Sequence, residues 1–128
     1  MARPADWSSL GYSSDPIPGE PTRVDLFGRQ YIGTADSIVR AAANLEVALR
    51  DDFGQSDAID AIREAATDVS RRIVKAEDRY RGVGDAMVAY ALQLTGAQAD
   101  SLAALTSADT ARTAASSARN MVNYYDQK

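Results

Sequence analysis

The sequence predicts an all-α fold: an antiparallel helical hairpin with an extended N-terminal strap and a possible third C-terminal helix. Apolar residues recur at alternating steps of three and four from Ile59 to Tyr125, and again from Val24 to Ala48. Residues with this spacing form one stripe along a helix, and such a stripe is stable in water only when another element covers it. All the prolines lie ahead of both runs and mark an irregular lead-in: Pro4, Pro16, Pro18 and Pro21.

Size and composition limit the possible functions. The length of 128 residues predicts a single helical domain over residues 1–128. The net charge of −4 argues against nucleic acid as a partner, because phosphate binding needs a surplus of Lys and Arg. The chain has neither Cys nor His, which removes thiol nucleophiles, imidazole bases and the usual zinc ligands. We therefore expect a protein that is not an enzyme, with no catalytic residues, cofactor or metal.

Residues 1–21 are predicted to form the extended strap, because proline removes backbone donors and favours extended conformations. The segment also contains Trp7, the only tryptophan, together with Leu10, Tyr12 and Ile17. Disordered tails are poor in such side chains. We expect these residues to anchor the strap along the helices; recognition of its exposed parts by a partner is the alternative.

Helix one is predicted over residues 22–51, with Thr22 and Asp25 arranged as in a capping box. Its stripe consists of Val24, Phe27, Tyr31, Thr34, Ile38, Ala41, Leu45 and Ala48, widened on one side by Ile32, Ala35, Val39, Ala42 and Leu49. Gly28 and Gly33 lie inside this pattern, where each costs about 1 kcal/mol relative to Ala. Close approach of another backbone is the expected compensation.

Helix two is predicted over residues 57–105. Gly54 can end helix one in a left-handed conformation, and Asp57 and Asp60 suit the N-terminus of the next helix. The short connection predicts antiparallel helices. The stripe of helix two consists of Ile59, Ile62, Ala66, Val69, Ile73, Ala76, Tyr80, Val83, Met87, Tyr90, Leu94 and Ala97.

The end of the chain lacks an obvious partner. Helix one is long enough to cover helix two only to about Ala86, and we expect the strap to cover the stripe from Met87 to about Ala97. Residues 106–128 either continue helix two, form a third helix capped by Thr106 and Asp109, or pair with a second chain. The alanine-rich remainder is therefore a candidate for association with another chain.

Other patterns have structural explanations. Asp51, Asp52, Asp57 and Asp60 surround the turn, but their spacing matches no calcium loop and capping accounts for two of them. The basic residues of helix two alternate with acidic ones, which is typical of a solvated helix face. The stretch Gly82–Gly84 lacks the residues of a phosphate loop and predicts a weak point or kink.

Neither a general secretory signal peptide nor a membrane-spanning segment is expected. The first nine residues contain no apolar run, so a cleaved secretory signal peptide is not predicted. The longest uncharged stretch, residues 86–99, is too short and too polar to span a bilayer. The sequence therefore predicts a soluble chain without membrane insertion.

The N-terminal segment resembles the type VII secretion signal domain found at the start of many actinobacterial polymorphic toxins. The resemblance lies in Pro4–Leu10, in Ser14–Gly19 with its Asp-Pro-Xaa-Pro-Gly element, and in Ser56–Arg63, and it covers about residues 3–105. That family is similar to the WXG-type helical hairpins exported by type VII systems. The resemblance implies a folded, often dimeric targeting module that carries a C-terminal toxin.

Two family features are absent. Phe53-Gly54 stands where the Trp-Xaa-Gly turn would be, and no tyrosine is followed four residues later by Asp or Glu, as in the export signal of related substrates. We expect a non-catalytic secretion-targeting or adaptor module, cytoplasmic before export and then secreted without a signal peptide. Its partners would be type VII components or a WXG-like helical protein. The alternative is a stand-alone helical partner or chaperone that forms homodimers or heterodimers with another WXG-like hairpin.

The candidate protein-binding residues come from three parts of the chain. They are Trp7, Leu10, Tyr12, Asp15 and Pro16 in the strap, Phe53 and Gly54 at the turn, and Ala111, Ala115, Ala118, Val122 and Tyr125 near the C-terminus.

Overall fold

The structure, a computed structural model, describes residues 2–50 and 56–127. These residues form two long α-helices, α1 (Pro21–Arg50) and α2 (Asp57–Asp126), preceded by one turn of 3-10 helix at Ser8–Leu10. No strand occurs in these ranges, and the two long helices contact each other, which confirms the predicted all-helical class. Neither described helix has a stretch long and apolar enough to cross a membrane.

The chain divides into two compact units. The hairpin unit consists of Pro21–Ala91, and the terminal unit consists of Met1–Glu20 together with Leu92–Lys128. Residues of α2 belong to both units.

In the hairpin unit, α1 and the first half of α2 run antiparallel. Gly28 lies against Gly84, Met87 and Val88. Further along α1, Glu46 and Leu49 line a groove together with residues between Thr67 and Lys75. Residue numbers along α2 thus fall as those along α1 rise, which is the hairpin arrangement.

The buried seam of the hairpin consists of small residues at seven-residue spacing. On α1 these are Gly28, Ala35 and Ala42, and on α2 they are Ser70, Gly84 and Ala91. A Cβ atom built on Gly84 would lie 2.7 Å from the carbonyl oxygen of Gly28. The close approach expected at Gly28 is therefore present, whereas a Cβ on Gly33 would meet nothing within 4 Å.

The predicted stripes have the correct period, but their phase is partly wrong. Large residues assigned to the seam are exposed: Phe27 (43%), Ile62 (62%), Val69 (49%), Val83 (47%) and Tyr90 (53%). On alternate turns the buried residue is the one that follows the predicted residue: Gly28 in place of Phe27, and Gly84 in place of Val83. Small residues at these positions let the two backbones approach closely. Gly84 serves this contact, and α2 continues unbroken through Gly82–Gly84, where a weak point was predicted.

The helix starts differ from the predicted caps. Helix α1 begins at Pro21, and the carboxylate of Asp25 accepts a hydrogen bond from Nε of Arg29 (2.8 Å), so the predicted capping box is wrong. Ser56, and not Asp57, caps α2. Its hydroxyl accepts from the N–H of Ile59 (3.2 Å), and its carbonyl oxygen accepts from the N–H of Asp60 (3.0 Å).

Helix α2 does not end where a third helix was considered. It continues through Thr106 and Asp109 to Asp126. The hydroxyl of Thr106 donates to the carbonyl oxygen of Leu102 (3.0 Å), a bond within the helix and not a cap. Residues 109–127 are all exposed, but Asp109 and Arg112 still hydrogen-bond to Ser9. The N-terminal segment therefore reaches further along α2 than Ala97, where its coverage was expected to end.

Candidate interaction surfaces

Trp7 is an interior residue of the terminal unit. Only 1% of its surface is exposed, and its indole N–H donates to the carbonyl oxygen of Pro4 (2.7 Å). The guanidinium carbon of Arg3 lies 4.9 Å from the centroid of the ring, within the range of a cation–π interaction. Leu94 and Leu105 of α2 are also buried in this unit. Trp7, a candidate protein-binding residue, is therefore buried within the terminal unit, and its ring is not accessible to a partner.

Arg3 connects the N-terminal segment to α2. Its Nε and Nη2 donate to the two carboxylate oxygens of Asp15 (2.5 and 2.9 Å). Its Nη1 donates to the carbonyl oxygen of Gln98 (2.8 Å), and Nη2 also donates to the hydroxyl of Ser101 (2.7 Å). One edge of the planar guanidinium thus forms two hydrogen bonds with the carboxylate of Asp15, while Nη1 and Nη2 also donate to residues of α2.

The ion pair shifts the titration of both partners. The hydrogen bond from Arg3 is the main cause that lowers the pKa of Asp15, and the N–H of Ile17 contributes a further hydrogen bond (2.9 Å). The same pairing raises the pKa of Arg3. Asp15 and Arg3 are therefore charged together at neutral pH, with 21% and 17% of their side chains exposed.

Gln98 binds the proline-rich part of the N-terminal segment. Its side-chain amide nitrogen donates to the carbonyl oxygens of Ile17 (3.0 Å) and Gly19 (2.9 Å). Gly19 has a φ of +121° and lies against Leu94, and both the backbone conformation and the space favour glycine. One amide side chain on α2 thus holds the Ile17–Gly19 backbone where prolines leave few N–H donors.

The other end of the segment makes lighter contacts with α2. The hydroxyl of Ser9 donates to the carboxylate of Asp109 and accepts from Nη1 of Arg112 (3.4 Å). Hydrogen bonds from the side chain of Ser8 and from its backbone N–H (3.0 Å) lower the pKa of Asp6. Polar contacts between the segment and α2 therefore extend as far as Arg112.

The structure brings together only some of the predicted strap residues. Trp7 is buried, Leu10, Asp15 and Pro16 are half-buried, and Tyr12 remains 53% exposed. Tyr12 is thus the most accessible of the five.

The C-terminal candidates lie on an exposed section of α2. Ala111, Ala115 and Ala118 are exposed, as are Val122 (58%) and Tyr125 (67%). The ring of Tyr125 meets that of Tyr124 edge-on, with 5.4 Å between the centroids. Within the described ranges, no hydrogen bond or ring contact joins these residues to the strap candidates. The structure therefore leaves the two predicted groups separate.

Turn residues Phe53 and Gly54 lie outside the described residues, as do Asp51 and Asp52 of the acidic cluster. Within the described ranges, no three acidic residues are placed to hold a metal ion.

A second surface, which the sequence analysis missed, lies on one side of the hairpin unit. We call it the aromatic face and define it by Phe27 and Tyr31 of α1 and by Ile62, Val69, Tyr80, Val83 and Tyr90 of α2. The rings of Tyr31 and Tyr80 approach within 5.7 Å between centroids, so these sides of α1 and α2 adjoin. These seven side chains are between 39% and 62% exposed. The missed signal is the exact seven-residue spacing of Ile62, Val69, Ala76, Val83 and Tyr90 beside a seam of smaller residues.

The opposite side of the hairpin unit is polar. Arg81 donates through Nη2 to Asp36 of α1 (2.8 Å) and through Nε to Glu77 (2.6 Å). These hydrogen bonds raise the pKa of Arg81, and the bond from Arg81 lowers that of Glu77. Arg81, Asp36 and Glu77 are therefore paired with one another on the side away from the aromatic face.

These features define an all-helical protein with a two-helix hairpin and an N-terminal segment hydrogen-bonded to the second helix. Comparison with known proteins adds no closer assignment, since no family model, curated protein or solved structure matches the chain.

Proposed function

We propose that this chain is a non-catalytic type VII secretion targeting or adaptor module, which presents a helical hairpin to the secretion machinery or to a partner protein ahead of a toxin cargo. In this role it is cytoplasmic before export and leaves the cell without a signal peptide. The observation that carries the proposal is the attachment of the motif-bearing strap to α2 through Arg3, Asp15 and Gln98.

The attachment supports the proposal because a signal that is read in the folded state needs a fixed surface. Trp7 and Asp15 belong to the two elements that resemble the secretion signal domain, and both make contacts that order the segment. The N–H of Tyr12 donates to the carbonyl oxygen of Trp7 (3.2 Å), and 53% of the surface of Tyr12 remains accessible. Strap and helix together then form the surface that the export machinery recognises.

An export assay tests this function. The full chain is fused to a C-terminal reporter and expressed in an actinobacterium with a working type VII system. Arg3→Ala removes the bonds to Asp15, Gln98 and Ser101, and we expect the exported fraction to fall at least about tenfold with the intracellular level unchanged. Arg119→Ala, at an exposed arginine of α2, is the matched control and should export normally.

Deletion of residues 1–21 gives the decisive result. Undiminished export of this variant would rule out a strap-dependent signal. A strain that lacks a functional type VII system should export neither form.

A second candidate function is supported by the exposed aromatic face. The chain would be a stand-alone partner or chaperone that pairs with another WXG-like hairpin, and the binding energy would come from burial of that face. Analytical ultracentrifugation and co-purification with candidate helical partners distinguish the two functions. A strictly monomeric chain with no helical partner would contradict this second function.

A further inference from the structure

The aromatic face is bordered by positive charge alone. The residues one step outward from it on α1 are Arg23, Gln30, Ser37 and Asn44, and on α2 they are Ala58, Ala65, Arg72, Arg79 and Ala86. None of these border residues is acidic. The carboxylates of Asp36 and Glu77 instead lie on the opposite side, where they bind Arg81.

Arg72 and Arg79 of the border also differ in their pairing from most other arginines of the hairpin unit. Arg29, Arg71 and Arg81 each form an ion pair within the hairpin unit. Arg72 and Arg79 form none with any described residue. An exposed apolar face beside unpaired guanidinium groups is complementary to an apolar stripe flanked by carboxylates.

A second copy of this chain does not provide that complement. Any packing of the face against the same face of another copy brings its borders against residues that are basic or uncharged. Arg72 and Arg79 would then meet no carboxylate, and in some registers they would meet each other. Like charges at a desolvated border oppose association.

We propose that the aromatic face of the hairpin unit docks an amphipathic helix of a different protein, whose apolar stripe is flanked by Asp or Glu. The face extends from Phe27 along α1 and along α2 from Ile62 to Tyr90, a length of about 40 Å at 1.5 Å per residue. It therefore fits a helix of about 28 residues. The inference deepens the proposed function, on which it rests only for the biological setting, by naming the docking surface and the charge of the partner.

The test uses the full chain and two synthetic helices of about 28 residues. Both have the same leucine stripe; one has Glu and the other Lys at the flanking positions. We expect the Glu-flanked helix to bind at least about tenfold more tightly at low salt, with the difference shrinking as salt is added. Since the chain has a net charge of −4, its overall field favours the Lys-flanked helix. The expected preference can therefore arise only from a local basic border.

Two pairs of substitutions locate the preference. With Arg72→Glu and Arg79→Glu together, the Lys-flanked helix should bind more tightly than the Glu-flanked helix. Arg29→Glu with Arg71→Glu makes the same change in net charge on the opposite side of the hairpin and should leave it unchanged. Phe27→Ser with Val83→Ser should weaken binding of both helices, while circular dichroism reports whether each variant remains helical.

Three results would overturn the inference. These are equal affinity for the two helices, no binding of either, or self-association of the chain that Phe27→Ser with Val83→Ser abolishes. The export assay distinguishes this failure from failure of the proposed function. Undiminished export after strap deletion refutes the signal and leaves the docking result intact, whereas a lack of charge preference refutes the docking surface and leaves the export result intact.

Discussion

At the scale of single residues, two glycines of α2, Gly82 and Gly84, have different roles although both lie within the helix. A Cβ on Gly84 would lie 2.7 Å from both the carbonyl oxygen of Gly28 and Cγ1 of Ile32, whereas a Cβ on Gly82 would meet nothing within 4 Å. Glycine at position 84 is required by the contact between the helices, and glycine at position 82 only lowers helix propensity.

This difference predicts substitutions of opposite sign. Gly84→Ala should lower the free energy of unfolding of the hairpin unit by about 1–3 kcal/mol, because backbone atoms of α1 must move to make room. Gly82→Ala should raise it by up to about 1 kcal/mol through helix propensity alone. Urea denaturation followed by circular dichroism measures both. Equal effects of the two substitutions would mean that the seam does not pass through Gly84.

A second prediction at this scale concerns pH. Because the pKa of Asp15 is lower in the folded chain than in the unfolded chain, its pairing with Arg3 stabilises the terminal unit above the unfolded pKa of about 3.9. That stabilisation is lost as the pH falls through the lower, folded value. Asp15→Asn should therefore weaken the fold at pH 6 and reduce its sensitivity to acid.

Trp7 provides the measurement, because it is the only tryptophan and it is buried in the unit that Asp15 stabilises. Urea midpoints from its fluorescence at pH 6 and pH 3 should differ less in Asp15→Asn than in the native chain. Asp100→Asn, at an exposed aspartate, is the control. A variant whose midpoints parallel those of the native chain would show that this ion pair is not linked to folding.

Sequence reasoning identified some residues of the site and missed others for a physical reason. Trp7 was predicted as an anchor because a large apolar side chain in a polar lead-in needs a place to be buried. Arg3, Gln98 and Ser101 were missed, because polar side chains give no periodic signal and their partners lie about 80 to 100 residues away in sequence. The opposite charges of Arg3 and Asp15 within one short segment were the available clue.

At the scale of elements, period was easier to predict than phase. Steps of three and four identified both helices, since any amphipathic helix shows them. The phase was partly wrong because hydrophobicity favours Ile62, Val69 and Val83, whereas close packing selects Ser70 and Gly84, the small residues beside them. A pattern based on hydrophobicity alone locates the widest apolar surface. In this hairpin, part of that surface is the exposed aromatic face.

The N-terminal segment depends on one side chain of α2 in a way that can be tested. Gln98→Ala removes the donor to Ile17 and Gly19 and should reduce the stability of the attached segment by about 1–2 kcal/mol, at about 1 kcal/mol for each hydrogen bond. Gln98→Glu should cost more, because a carboxylate would face two carbonyl oxygens. Limited proteolysis within residues 2–20 reports the loss, and Gln93→Ala, at an exposed glutamine one turn away, should leave the cleavage rate unchanged.

At the scale of the whole molecule, α2 changes its surroundings along its length. Ala91, Leu94 and Leu105 are buried, and Gln98 and Ser101 bind the N-terminal segment. The last described contact with that segment is at Arg112, and the residues beyond it are all exposed. The section of α2 beyond Arg112, residues 113–126, is only about 14 residues long, and an isolated helix that short is marginal in water even when rich in alanine. We therefore expect the part of α2 beyond Arg112 to be less stable than residues 94–105, although both parts are helical.

Hydrogen exchange should resolve this difference within one helix. We expect amides of residues 94–105 to exchange at least about a hundredfold more slowly than those of residues 113–126, a difference of about 2.7 kcal/mol in opening free energy. Removal of residues 114–128 should leave exchange at residues 94–105 unchanged, because the hydrogen bonds described between α2 and the N-terminal segment lie at Gln98, Ser101, Asp109 and Arg112. Strong protection of residues 113–126 would require something to cover them. If that protection rose with protein concentration, the cover would be a second copy of the chain, and Val122 and Tyr125 would be the first residues to substitute.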